Sequence, residues 1–159
     1  MWTNFFIAAA GASAALAGLA IVAISVNIAH ILEFPHLPAR SAATVARLIL
    51  ILVSSMAALI PQPNSALGAE ILVFTVAAWW LEIRSNRRAI RAHQQIGRPR
   101  FESFLESILG EVQLLPFIVG AVLLVANRPA GYYCIAAGVI AIFNFSTLNV
   151  WVLLVEILR

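Results

Sequence analysis

From Met1 to Leu32 the chain contains no aspartate, glutamate, lysine or arginine. A run that long and apolar exceeds the ~20 residues an α-helix needs to cross a bilayer. It has no basic start, and it outruns the ~7–15-residue apolar core of a signal peptide. The expectation is a retained span. The rest of the chain has the same character. Charged residues are 11% of the 159, hydrophobic residues 62%, and the mean hydropathy is +0.96. Soluble domains use ~45–50% apolar residues and need a charged shell, which this composition does not supply. The sequence therefore predicts an all-α, polytopic transmembrane helix bundle, one integral membrane domain over residues 1–159.

Helix breakers and charges divide the chain into five expected spans. The first covers about 5–32 and stops at Glu33, Pro35 and Pro38. The second covers about 42–60, with Arg47 inside its first turns. Pro61, Gln62, Pro63, Asn64 and Ser65 form a breaking turn. The third covers about 67–83, the fourth about 105–126 with Pro116 interrupting it, and the fifth about 132–158. Spans two and three are short and carry Arg47 and Glu70. They suit a tilted hairpin, with a shallow re-entrant pair as the alternative.

Arginine placement supplies the orientation. All ten basic residues are Arg and all seven acids are Glu. In a five-span arrangement the 33–41 loop, the basic 84–104 loop and the carboxyl terminus share one side. That side holds Arg40, the six Arg from Arg84 to Arg100, and Arg159, with Arg47 just inside it, whereas the other side holds only Arg128. Basic loops stay in the cytoplasm, so nine against one predicts the amino terminus outside and the carboxyl terminus inside. The expected residence is a plasma membrane of the bacterial inner-membrane kind.

Arg84, Arg87, Arg88 and Arg91 recur at i, i+3, i+4 and i+7, which puts them on one helical stripe. Such a stripe extends the third helix out of the membrane and contacts anionic lipid phosphates. Gly97 and Pro99 end it. Phe101, Phe104, Leu105 and Ile108 then oppose Glu102 and Glu106, the pattern of an interfacial helix. No nucleic-acid recognition module accompanies these arginines, so the expected partner is lipid and not nucleic acid. Trp79 and Trp80 are expected at the cytoplasmic interface, and Phe5, Phe6, Tyr132 and Tyr133 at the outer one.

Three groups of residues are candidates for function. In span one, Ala8 to Ala15 are all Ala, Gly or Ser, and Ala10, Ala14 and Gly18 recur every four residues. Small residues so spaced let helix backbones approach closely in lipid. Two readings follow: span one packs at the bundle centre, or it forms a homo-oligomer seam. In span five, Asn144, Ser146, Thr147 and Asn149 fall within six residues. They act either as packing glue or as the lining of a polar path or pocket. Asn144 and Thr147 lie near one face, Ser146 and Asn149 on another. The third group lies in the cytoplasmic leaflet: Asn27, His30 and Glu33 from span one, Arg47 from span two, Glu111 and Gln113 near span four. Arg47 and Glu111 sit at matching depth, and an unpaired charge there is costly. They are expected to pair, or Glu111 to meet His30 as part of a proton or ion relay.

Other chemistry lacks its residues. Cys134 is the single cysteine, so no intrachain disulfide forms. His30, Glu33 and His36 are rotated off one helix face with Pro35 between them, and no metal or cofactor is expected. There is no phosphate loop, Cys-x-x-Cys or nucleophile–base pair, so the chain is not expected to be an enzyme. The leading expectation is an oligomeric channel or small-solute transport protein, its polar path built from span five and the cytoplasmic-leaflet residues. The alternative is a non-transporting accessory or regulatory subunit that docks another membrane protein through small-residue helix faces.

Overall fold

The structure is a computed structural model that describes residues 2–28, 37–93 and 112–151. Those residues form five helices and no strand: α1 (Trp2–Val26), α2 (Leu37–Leu59), α3 (Asn64–His93), α4 (Leu115–Val125) and α5 (Gly131–Trp151). Four of them, α1, α2, α3 and α5, are long and apolar enough to cross a membrane. They are consistent with a multi-pass integral membrane protein.

Local chemistry sets the helix ends. Pro38 lies in the first turn of α2, where its missing N–H has no intrahelical partner to lose. Beyond α2, Gln62 turns back: its Nε2 donates to the Ala57 carbonyl at 3.0 Å and to Glu70 Oε2 at 2.9 Å. One side chain therefore occupies an end carbonyl of α2 and ties the turn to α3. The breaking turn expected at residues 61–65 is shorter, since α3 already begins at Asn64.

Pro116 stands where the sequence expects an interruption: Val112 is helical, Gln113 and Leu114 form a turn, and α4 starts at Leu115 with Pro116 in its first turn, a position its fixed φ favours. The segment expected to lead into this span, residues 105–111, lies outside the described residues, as does the end of the fifth span beyond Trp151. At its other end α4 closes on Asn127, whose φ is positive at 55°. Asn127 N donates to Leu124 O at 2.9 Å and Arg128 N to Leu123 O at 2.8 Å. This pair of bonds is the Schellman closure around a left-handed residue, a conformation Asn tolerates better than most. Pro129 follows and prevents continuation.

The helices pack in chain order, α1 on α2, α2 on α3, α3 on α4 and α4 on α5, and α5 returns to touch both α1 and α2. This makes α2 the central helix, enclosed over more of its length than the other three long ones. Span one is therefore not the centre of the bundle. α1 buries a single stripe of Phe6, Ala9, Ser13, Ala20 and Ala23, the spacing of one helix laid along one seam. The main core is filled by Phe6, Ile51, Ile71, Phe117, Leu124 and Ile135, all essentially inaccessible.

The start of α1 and the start of α5 meet at one end of the bundle. Trp2 stacks on Tyr132 with centroids 5.7 Å apart and meets Tyr133 edge-on at 4.8 Å. Phe5 and Phe6 complete the cluster. The aromatic residues expected to share one interface do lie together. Tyr132 also donates its hydroxyl to Asn64 Oδ1 at 2.8 Å, fixing α5 to the head of α3.

Candidate functional site

The polar interior is built at the opposite end, where α1 finishes, α2 starts and α3 has run most of its buried length. Arg47 of α2 and Glu82 of α3 form an ion pair there, with residue exposures of 8% and 5%. The guanidinium makes two contacts: Nη2 donates to Oε1, and Nε donates to Oε2 at 3.4 Å. A planar fork facing both carboxylate oxygens is the arrangement in which an Arg–carboxylate pair is strongest. Desolvating either charge alone costs several kcal/mol, by order of magnitude. The close pairing of opposite charges is what makes both tolerable in this interior.

The acid that the structure places against Arg47 is Glu82; the expected partners Glu111 and His30 lie outside the described residues. Glu82 passed unnoticed because it sits near the expected end of span three, where an acid reads as a boundary. The signal was available in the hairpin. Two antiparallel helices joined by a short turn bring a residue well before the turn against one well after it, and Glu82 is the acid of α3 on that side. Asn27 and Gln113 are also buried, at 7% and 4%, and the fold brings both to the same end as the ion pair.

Two turns deeper along each helix the seam between α2 and α3 is polar again. Ser54 and Thr75 are buried at 1% and 0%. Thr75 donates to the Ile71 carbonyl of its own helix at 2.7 Å. Along α2, Ile51 stands one turn from both Arg47 and Ser54, and along α3, Ile71 stands one turn from Thr75; both isoleucines are fully buried.

The span-five residues divide as their spacing predicts. Ser146 is buried, and Asn149 donates to Thr44 Oγ1 on α2 at 3.3 Å. Asn144 and Thr147 face outward and are exposed. Each bonds back to its own helix: Asn144 Nδ2 to Ile140 O at 3.0 Å and Thr147 Oγ1 to Phe143 O at 2.8 Å. A shallow groove of about 340 Å³ runs beside them, lined by Ile140, Phe143, Asn144, Thr147 and Leu148. The four span-five residues do not converge on one site.

The span-one residues also face outward. Ala10 is half-buried, and Ala14 and Gly18 are exposed. A Cβ built on Gly11 or Gly18 would meet nothing within 4 Å. Close backbone approach occurs elsewhere. A Cβ on Gly68 of α3 would lie 2.7 Å from the Ala121 carbonyl of α4, and one on Gly131 of α5 would lie 2.5 Å from the Gly120 carbonyl of α4. The glycines that bring helices together belong to α3, α4 and α5, and the sequence reading missed them because no small-residue run announces them.

Of the arginine stripe, all four members fall within the continuous helix α3. The Arg84 guanidinium lies over the Trp80 ring, 5.3 Å from its centroid. Trp80 is exposed, and its neighbour Trp79 packs toward the core. Comparison with protein-family models, with curated protein sequences and with solved structures finds no match.

Proposed function

We propose that this protein is a lateral docking subunit of the membrane, a five-span bundle with its amino terminus outside and its carboxyl terminus in the cytoplasm. In this reading it associates with another membrane protein through exposed helix faces and passes no solute through its own interior. The observation that carries the reading is the outward small-residue face of α1. Ala14 and Gly18 lie on the side away from the buried stripe, with open space beyond Gly18. In lipid, such a face has value only when another helix backbone is laid on it. The closed Arg47–Glu82 pair supports the same view, because its charges are spent on each other. The nine-to-one arginine distribution supports the orientation. Arg84 over Trp80 suits contact with anionic lipid at the cytoplasmic surface.

The test is association measured in native membranes. Gly18→Leu fills the open face and should abolish co-purification of the partner with the intact chain, while α5 substitutions leave it unchanged. Equal co-purification by Gly18→Leu and the unaltered chain overturns the reading.

The outward position of Asn144 and Thr147 favours a second reading, an oligomeric channel or small-solute transporter whose path runs between copies. Solute or ion flux into proteoliposomes that is lost in Asn144→Leu would replace the docking reading with this one.

A further inference from the structure

We propose that the outward face of α5 is a self-association site for a second copy of this chain, with Asn144 paired to Asn144 across a two-fold axis along the membrane normal. The proposal builds on the docking reading and adds to it a different helix and a different partner. It starts from the cost of an amide in hydrocarbon. Asn144 lies thirteen residues beyond the first residue of α5, ~20 Å along a helix rising ~1.5 Å per residue, well within a ~30 Å apolar layer. One N–H is occupied by the Ile140 carbonyl. The residue is exposed, and that bond is the one its amide makes among the described residues. Lipid tails offer neither donor nor acceptor, so whatever covers this position must supply both at that depth.

A second copy does so by symmetry. An isologous contact sets each residue of the face against the same face of its mate, so one Asn144 offers its N–H to the other's Oδ1 and receives the reverse bond. The shape of the face agrees. Ile140, Phe143, Asn144 and Thr147 stand at i, i+3, i+4 and i+7, the four corners of the hole that receives one side chain from a facing helix. The groove of about 340 Å³ lies over these residues and Leu148. Ile140 and Leu148, 56% and 63% exposed, flank the amide and supply the apolar contact. Because both copies insert in the same orientation, α5 meets α5 in parallel. An asparagine at the seam of a parallel pair fixes register, since any slip leaves the amide unpaired.

The test uses the full chain in lipid. In a Cys134→Ser background, single cysteines are placed by Ile140→Cys, Asn144→Cys, Thr147→Cys and Phe145→Cys and oxidised. The first three should form disulfide-linked dimers, and Phe145→Cys, exposed but outside the hole, should not. In the unaltered background Asn144→Leu should weaken dimerisation roughly 3- to 20-fold, as expected for loss of interhelical amide bonds, and Asn144→Gln should largely preserve it. Both variants can be checked for folding by thermal stability of the monomer. Monomer alone in native mass measurement from lipid overturns the proposal. So does a dimer that crosslinks through Gly18→Cys and at no α5 position, an outcome that leaves docking through α1 standing. Conversely, α5 crosslinks in the expected pattern, with partner co-purification indifferent to Gly18→Leu, retain this proposal and remove the reading it builds on.

Discussion

Two sets of small residues occupy this chain, and they do opposite things. On α1, Gly11 and Gly18 face open space, and nothing stands within 4 Å of where a Cβ would be. On α3, α4 and α5, Gly68, Gly120 and Gly131 lie so close to a neighbouring backbone that a Cβ would fall 2.5–2.8 Å from a carbonyl oxygen. The α1 set is the conspicuous one in the sequence, a run of Ala, Gly and Ser at four-residue spacing. The other set is scattered among large apolar residues. The contrast teaches that a small-residue run marks a face able to be approached. Whether its own chain approaches it depends on which face the rest of the bundle needs, and α1 spends its opposite stripe on α2.

The comparison between closed interior and open face is sharpest at the ion pair. Arg47→Ala and Glu82→Ala should each destabilise by roughly 3–5 kcal/mol, because the surviving charge is left buried without its partner. The double substitution should cost less than the sum of the two. Thermal unfolding of the four variants in lipid gives the coupling, and strict additivity would show that the charges do not meet.

Next come the closed glycines. Gly131→Ala sets a methyl against the Gly120 carbonyl, and the backbones must part. The expected loss is about 1–3 kcal/mol, the range for overpacking, read as a lower unfolding temperature. Gly18→Ala adds the same methyl to open space and should leave unfolding unchanged. Equal effects at the two glycines would show that Gly18 is packed as closely as Gly131.

Tyr132→Phe tests the aromatic end. It removes the hydroxyl bonded to Asn64 while keeping the ring stacked on Trp2, and should cost ~0.5–1.5 kcal/mol. Smallest of all is Gly18→Leu, whose effect on the stability of the isolated chain should stay within ~0.5 kcal/mol. A large loss of stability there would mean that the outward face of α1 is already used within the chain.

Much of the fold was legible because lipid leaves few choices. Apolar runs of sufficient length and Pro-rich interruptions located the starts of α1, α2, α3 and α5 to within five residues, while α1 ends at Val26, short of the expected 32, and the expected end of span five lies outside the described residues. Helical periodicity correctly separated Asn144 and Thr147 from Ser146 and Asn149. What the sequence hid was pairwise. That Arg47 meets Glu82 depends on how far α2 and α3 are offset, which no periodicity reports. The interruption at Pro116 was legible because a proline is poorly tolerated inside a helix and well tolerated in a first turn; the chain turns at Gln113 and Leu114 and α4 starts at Leu115.

The Arg47–Glu82 pair has a consequence for how the chain reaches the membrane at all. On translocon insertion scales an arginine near the centre of a helix costs ~2.5–3.5 kcal/mol, and α2 carries that cost until its partner arrives. The partner lies thirty-five residues later in the chain, on the far side of the turn that Gln62 ties shut. For a chain inserted into a bilayer during synthesis, α2 would be a poor substrate for the lateral gate by itself and a better one together with α3. The unit suited to partition into lipid is the hairpin, in which Arg47 already faces Glu82. The glutamate acts first as a passport for the arginine and only afterwards as its structural mate.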